Sequence, residues 1–166
     1  INDRLWRYQD GEGFESFTRQ DLVAATVADL GANGRVDLIG LRRDGGLWRW
    51  QAGDDRTWNG EAVGRVTMDE PDSAALSALD LTGNGQLELL IQHADGFEVL
   101  AWQEAGGFET LHRESIELLA LSPILLESAQ GPALVGIAQT DRRTTVTLWP
   151  AGSGRGEFVA IAPTGL

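Results

Sequence analysis

The sequence predicts an all-β fold of repeated four-stranded units, and three observations carry that prediction. The segment Val27–Ile39 recurs as Ala78–Leu90, with an aspartate, an Asn-Gly pair and a second acid at matching places. Short apolar runs are bounded by Asn-Gly and Asp-Gly pairs, which favour turns. Helix signals are weak. Because four strands in about 45 residues is the spacing of a propeller blade, the predicted architecture is a β-propeller.

The elements of each full unit follow one another in a fixed order. A first strand leads into an Asn-Gly loop, and a second strand leads into an Asp-Gly turn. A Trp-bearing third strand, a Gly-rich turn and an outer strand complete the unit. The second strands are predicted at Val36–Leu41 and Leu87–Ile91, and the third strands at Leu47–Gln51 and Val99–Gln103. Leu5–Gln9 opens the chain with the third-strand pattern.

About three and a half blades are predicted along the chain. The half blade covers residues 1–22, and the full blades cover residues 23–70, 71–115 and 116–166. The third full blade has lost its acids, because Leu126 stands where Asp80 would be and Leu134 where Glu88 would be. Propellers close a ring of four to eight blades. The chain also begins at Ile1 rather than Met. We therefore expect a piece of a longer product, or a ring of about seven blades closed by a second copy.

Charge and composition exclude several classes of function. The 166 residues include 25 acids and 13 basic residues, all arginine, for a net charge of −12. Nucleic acids and anionic membrane surfaces bind basic patches, so neither is an expected partner. The absence of lysine excludes a P-loop, and the absence of cysteine excludes disulfides and thiolate chemistry. The longest apolar-rich stretch, Leu118–Leu126, is too short and too interrupted for a transmembrane helix.

The two acidic loops carry a family resemblance. Asp29–Leu38 and Asp80–Leu89 follow the pattern Asp-x-x-x-Asn-Gly-x-x-acid-Leu, and Gly-rich turns end in Phe14, Phe108 and Phe158. In these residues the chain resembles the FG-GAP/VCBS repeat family, the propeller repeats of the integrin-α type. The resemblance implies a location outside the cytoplasm, whether periplasmic, secreted or cell-surface, and the absence of cysteine agrees with it.

The resemblance also implies calcium in these loops. Ca²⁺ prefers six to eight oxygen ligands, which a tight loop supplies from side chains and carbonyls. The implied ligands are Asp29, Asn33, the Arg35 carbonyl and Asp37 in the first loop, and Asp80, Thr82, Asn84, the Gln86 carbonyl and Glu88 in the second. Each loop holds only two carboxylates, so we expect weak affinity, on the order of 10⁻⁴ to 10⁻³ M. The alternative is a plain Asn-Gly turn in which each first aspartate accepts hydrogen bonds from the loop's own backbone.

Aromatic residues and histidines are the other candidates. Trp6, Trp48, Trp102 and Trp149 recur at one repeat position, which favours packing between blades, whereas Trp50 does not repeat. Trp58 lies beside Asp54 and Asp55 in a polar turn and is the candidate for an exposed contact, such as a glycan. His93 and His112 lack metal-ligand spacing and are interpreted as surface residues.

Three functions from different classes remain open. The favoured one is a non-catalytic module outside the cytoplasm that binds a protein or a glycan or acts as a scaffold. The alternative is a structural subunit of a larger complex, ordered by its partners. A lyase or hydrolase with its active site at the channel mouth is the third. A propeller fold does not choose among them, since it hosts many functions.

Overall fold

The prediction of an all-β fold is confirmed. The computed structural model describes residues 5–9, 13–18, 21–53, 58–103, 105–125, 132–140 and 143–150. Within these ranges the regular structure is strand, apart from a 3₁₀ turn at Pro71–Ser73. The strands are β1 (Leu5–Gln9), β2 (Gly13–Thr18), β3 (Leu22–Ala28), β4 (Asp37–Arg42), β5 (Gly46–Ala52), β6 (Trp58–Arg65), β7 (Ala75–Leu79), β8 (Glu88–His93), β9 (Gly96–Trp102), β10 (Phe108–Ser115), β11 (Leu118–Leu125), β12 (Pro132–Thr140) and β13 (Arg143–Pro150).

The strands form antiparallel sheets in which sequence neighbours pair. We name the sheets by their strands: sheet I is β3-β4-β5-β6, sheet II is β7-β8-β9-β10 and sheet III is β11-β12-β13. β1 and β2 form a two-stranded sheet, the N-terminal hairpin. Sheets I and II have the predicted order of elements. They are compatible with propeller blades, and the closed ring itself stays a prediction. The turn that ends in Phe158 and the segment 126–131 lie outside the described residues.

In sheets I and II, the backbone at the end of the fourth strand passes close to the glycine of the Asp-Gly turn between the second and third strands. Gly45 and Gly96 have φ values of 83° and 146°, in the region that favours glycine. A Cβ on Gly45 would overlap the carbonyl oxygen of Val66, and a Cβ on Gly96 would overlap that of Glu114. Both turns therefore require glycine for two reasons, and the requirement recurs from sheet I to sheet II.

The three sheets stack through two apolar clusters. Sheet I contributes Ile39, Leu41 and Leu47 to the first cluster, and sheet II contributes Leu89 and Ile91, among others. Alternate residues of a strand point to opposite faces of its sheet. The other face of sheet II therefore meets sheet III in the second cluster, whose members include Leu90, Phe97, Val99, Leu134 and Trp149. We call the face turned to the preceding sheet the front face and the face turned to the following sheet the back face.

The predicted alignment of the third unit is wrong by one residue. In sheet I, Leu38 pairs with Trp50, and the Trp50 ring lies where a Cβ on Gly40 would be, beside Leu22. In sheet III, Leu134 pairs with Trp149, whose ring lies in the same way against Gly136 and Leu118. Leu134 therefore matches Leu38, so Ala133 takes the position of Asp37 and Glu88.

The predicted equivalence of the tryptophans is also wrong. Trp149 corresponds to Trp50, whereas Trp48 pairs with Gly40 and Trp102 lies one residue past the pair of Ala101 and Glu88. The hairpins differ in length, because residues 43–45 separate β4 from β5 but only residues 94–95 separate β8 from β9. The predicted packing between sheets is nevertheless confirmed for two of the rings: Trp102 packs on the first cluster and Trp149 belongs to the second. The side chain of Trp6 lies outside the description.

Candidate functional site: the aspartate-anchored loops

The loop between β3 and β4 is closed by the side chain of Asp29. Its Oδ1 accepts a hydrogen bond from the backbone N–H of Asn33 at 3.0 Å, and its Oδ2 accepts one from Gly34 at 2.7 Å. The side-chain oxygen of Asn33 accepts a further bond from the N–H of Arg35 at 2.9 Å. One carboxylate and one amide thus bind three successive backbone N–H groups, and the loop is folded around its own aspartate.

The loop between β7 and β8 repeats this geometry. Asp80 Oδ1 accepts hydrogen bonds from the N–H groups of Gly83 at 2.6 Å and Asn84 at 3.1 Å, and Oδ2 accepts one from Gly85 at 2.9 Å. The side-chain oxygen of Asn84 accepts a bond from the N–H of Gln86 at 2.7 Å. The hydrogen bonds expected for an Asn-Gly turn without a metal are therefore present in both loops.

The acids that end the two loops are buried and have different partners. Asp37 is 1% exposed, and its Oδ2 accepts a hydrogen bond from Arg49 Nη2 at 3.0 Å. Glu88 is 2% exposed and accepts bonds from the backbone N–H of Leu81 at 2.7 Å and from Thr82 Oγ1 at 2.9 Å. Asp37 is thus neutralised by a cation, whereas Glu88 is stabilised by dipoles.

These contacts bear on the predicted calcium ligands. In the first loop, the oxygens of Asp29 and Asn33 already accept backbone hydrogen bonds, and the guanidinium of Arg49 repels a cation near Asp37. In the second loop both oxygens of Glu88 are engaged. Across the described residues, no group of three or more His, Asp or Glu side chains is placed to hold a metal ion. Calcium in these loops stays a prediction, and it would have to share oxygens that already have partners.

A polar cavity of about 430 Å³ lies beside the first loop. Its lining is formed by Arg35, Val36, Asp37, Gln51, Ala52, Gly53 and Asn59. Asp37 Oδ1 is buried and accepts no hydrogen bond from the residues that the structure describes. The cavity therefore combines a carboxylate, two amides and a guanidinium, which are groups that bind hydroxyl and amide ligands.

Trp58 lies at the start of β6, next to the cavity-lining Asn59. It pairs with Ala52 on β5 and is partly buried rather than fully exposed. Trp58 and the first loop lie at the same end of sheet I. Gln51 of β5 pairs with Asn59 of β6, and both line the same cavity as Asp37 of the first loop. Asp54 and Asp55, its neighbours in the predicted polar turn, lie outside the described residues.

Arg49 is a residue that the sequence analysis missed. Its guanidinium bonds Asp37, lies 3.7 Å from Glu61 Oε1 and stacks over the Trp102 ring at 4.6 Å from the ring centre. It therefore links the first loop of sheet I to the third strand of sheet II. The signal in the sequence was a charged residue between two tryptophans, Trp48 and Trp50, in an otherwise apolar strand.

The interpretation of the histidines as surface residues is wrong. His93 is only 8% exposed, and its Nδ1 lies 3.7 Å from Asp95 Oδ2. His112 is partly buried, its ring lies 5.5 Å from that of Phe97, and its Nε2 lies 3.5 Å from Glu114. Both belong to strands that sheet packing covers, which is why polarity alone misplaced them.

The sequence matches no family model, and no curated protein matches it. Among the described residues, none of the regular structure is a helix long and apolar enough to cross a membrane.

Proposed function

We propose that this chain is a non-catalytic β-propeller module of the FG-GAP/VCBS type, which acts outside the cytoplasm in binding a protein or a glycan or as a scaffold. The observation that carries the proposal is the recurrence of one construction in two stacked sheets. Sheets I and II each have four antiparallel strands, and each places an aspartate-anchored loop between its first and second strands. Repeated sheets with loops at one end are the arrangement from which propeller binding surfaces are built.

The loops suit a binding role because their shape is fixed before a ligand arrives. Asp29 and Asp80 accept the hydrogen bonds of the loop backbone. The side chains of Arg35 and Gln86, at the loop ends, are exposed to solvent. A preformed loop loses less conformational freedom on binding, which raises affinity. The proposed contact surface is therefore the loop end of sheets I and II.

The cavity beside the first loop gives this surface a concave part. Asp37 and Asn59 supply a buried acceptor and an exposed amide, and Arg35 supplies a cation at the rim. Sugar hydroxyls and peptide amides both donate and accept hydrogen bonds, so either fits such a lining. Trp58, next to Asn59 in β6, adds an aromatic residue at the same end.

The structural-subunit alternative is favoured by a different observation. About three and a half blades are predicted along the sequence, which is fewer than the four to eight that close a ring. A domain that is ordered by its neighbours in a complex needs no ligand of its own.

A glycan array with matched loop variants tests the proposal. The labelled chain is screened beside Asn59→Ala and Arg35→Ala, with Arg65→Ala as a control at the Asp-Gly end of sheet I, where Arg65 bonds the Asp44 carbonyl. We expect a specific ligand whose binding falls at least tenfold in the two loop variants and not in the control. Mass spectrometry of the bound glycan after incubation tests the non-catalytic part, which any turnover would contradict. A chain that binds no glycan and no displayed protein at this end supports the structural subunit instead.

A further inference from the structure

Three asparagines of the chain precede a glycine, and two of these pairs lie in the aspartate-anchored loops. Asn33–Gly34 and Asn84–Gly85 stand at matching places in the two loops and are exposed to solvent, whereas Asn59–Gly60 lies within β6. An Asn-Gly pair can react with itself, because glycine has no side chain that keeps its backbone nitrogen away from the preceding amide. Whether a pair reacts therefore depends on how the structure holds that nitrogen and that amide.

The reaction is the closure of a succinimide ring at the asparagine. The backbone nitrogen of the glycine loses its proton and bonds the side-chain carbon Cγ, and the side-chain nitrogen takes up a proton and leaves as ammonia. Water then adds to one of the two ring carbonyls and opens the ring. The product is aspartate or isoaspartate, in which the backbone runs through Cγ. Water is the only co-reactant, and nothing is oxidised or reduced.

The aspartate anchors oppose this ring closure directly. The Gly34 nitrogen, which would attack, donates its hydrogen to Asp29 Oδ2 at 2.7 Å, and the Gly85 nitrogen donates to Asp80 Oδ2 at 2.9 Å. Ring closure must break this charge-assisted bond, and the carboxylate disfavours the negative charge that develops on the nitrogen. Each asparagine oxygen is also held, by the N–H group two residues further along. We therefore expect the reaction to require local opening of the loop.

The second loop is held by two carboxylates and the first by one. Asp80 accepts hydrogen bonds from three backbone N–H groups of the second loop, and Glu88 accepts two more. In the first loop Asp29 accepts two, and Asp37, which stands at the place of Glu88, bonds Arg49 instead. Because hydrogen bonds to charged groups are the stronger ones, the first loop opens at a lower cost in free energy.

A strained residue weakens the first loop further. Ala32, directly before Asn33, has a φ of 48°, whereas the matching residue of the second loop is Gly83, with a φ of 73°. Glycine adopts this left-handed conformation freely, but a residue with a Cβ does not. Opening of the first loop releases the strain at Ala32, so it favours exposure of the Asn33–Gly34 pair. Asn59–Gly60 is held differently, because both residues pair with β5 in the sheet.

We propose that Asn33 is the main site of succinimide formation among the Asn-Gly pairs of this chain, and that Asp29 controls its rate. Either product places a new carboxylate beside the exposed side chains of Arg35 and Val36. Isoaspartate also lengthens the backbone of the loop. The charge and shape of this loop end therefore change with the age of the folded chain, whether or not a ligand binds there.

Peptide mapping of the aged chain tests the proposal. The full chain is incubated in mildly alkaline buffer, both folded and in urea, and is then digested with trypsin. Since trypsin cleaves after arginine, the three pairs fall in separate peptides, residues 20–35, 57–65 and 66–113. Mass spectrometry with separation of aspartate from isoaspartate measures each rate. In the folded chain we expect Asn33 to react at least about tenfold faster than Asn84 or Asn59, and in urea we expect similar rates at all three.

Two variants of the first loop test the control by its anchor and its strain. Asp29→Ala frees the Gly34 nitrogen and is expected to raise the rate at Asn33 at least about tenfold, towards the rate in urea. Asp80→Ala is the matched control, which should accelerate Asn84 and leave Asn33 unchanged. Ala32→Gly keeps the anchoring hydrogen bonds and relieves the strain, so it is expected to slow the reaction at Asn33 at least about twofold. This variant decides the test if Asp29→Ala fails to fold.

Equal rates at Asn33 and Asn84 in the folded chain overturn the proposal. So does a folded Asp29→Ala chain in which Asn33 reacts no faster, or an Ala32→Gly chain in which it reacts no slower. Aspartate without isoaspartate would indicate direct hydrolysis of the side-chain amide and would overturn the ring mechanism. The glycan array measures binding by freshly purified chain, so its outcome and the outcome of peptide mapping are independent.

Discussion

The buried pair of Asp37 and Arg49 allows the sharpest test of the structure. Arg49→Met removes the charge but keeps much of the apolar stem. It leaves Asp37, 1% exposed, without a cation and with no hydrogen bond from any described residue, because Oδ1 already has none and Oδ2 has only Arg49. Breaking a buried ion pair in this way costs about 3–5 kcal/mol of unfolding free energy. Loss of the contact with the Trp102 ring adds roughly 0.5–2 kcal/mol.

Removal of the other partner, Asp37, is expected to lower the free energy of unfolding by a smaller amount. In Asp37→Ala the Arg49 guanidinium still contacts the Trp102 ring and still lies 3.7 Å from Glu61 Oε1, so its charge retains two partners. The loss then corresponds to an unsatisfied buried donor, about 1–3 kcal/mol. The double variant is expected to be more stable than the sum of the single losses predicts, by at least about 1 kcal/mol, because the residues are in direct contact.

Urea denaturation at neutral pH measures all four proteins of this cycle. Arg65→Met serves as the exposed-arginine control and should shift the midpoint much less than Arg49→Met. An isolated Asp37–Arg49 pair is ruled out if Asp37→Ala lowers the free energy of unfolding as much as Arg49→Met does, or if the two losses are additive. Either result would mean that Asp37 has a second partner, of which the predicted calcium ion is one candidate.

Three further expectations follow from contacts described above. With Ca²⁺ at ten times a millimolar Kd, the calcium prediction requires each loop to add about 1.4 kcal/mol to the free energy of unfolding. Asp29→Ala is expected to remove the gain of the first loop and Asp80→Ala that of the second. Thermal melts with calcium and with EDTA that coincide would contradict the prediction. Gly136→Ala puts a methyl group against the indole behind it and is expected to cost about 1–3 kcal/mol in urea titrations, and an unchanged midpoint would refute the packing. The hydrogen bond from Arg43 lowers the pKa of Asp72 below its usual 3.8. The wild-type chain is therefore expected to be more stable than Asp72→Asn above pH 3.8, and this difference should vanish as the pH falls through the lowered pKa. A difference that persists in strong acid would argue against the ion pair.

Turn chemistry made the local structure predictable from the sequence. Asn-Gly and Asp-Gly pairs restrict the backbone within a few residues, so the loops at Asn33 and Asn84 and the turn at Gly45 could be placed without any long-range contact. The aspartate-to-backbone hydrogen bonds follow from the same short spacing. Local spacing was therefore enough to predict the strands, their turns and the aspartate-anchored loops of the candidate site.

Cross-strand register was beyond the reach of the sequence. Trp48, Trp102 and Trp149 look equivalent by their neighbours, but hairpins of unequal length move them to different positions along the sheet. Arg49 was not among the predicted site residues, yet Ile39 pairs with it and Asp37 bonds it on the covered face. Such pairings join residues eight to fifteen positions apart across a hairpin, and the composition of a strand does not encode them.

The self-contained loops have a consequence for how such a repeat can change. Asp29 and Asp80 hold their loops through backbone N–H groups, so neither the methyl group of Ala32 nor any side chain at Gly83, which has none, is needed to close them. The tips can therefore be exchanged between repeats, or replaced by grafted sequences, while the anchors and the sheet below stay the same. A chain built in this way can acquire a new surface without redesigning its core.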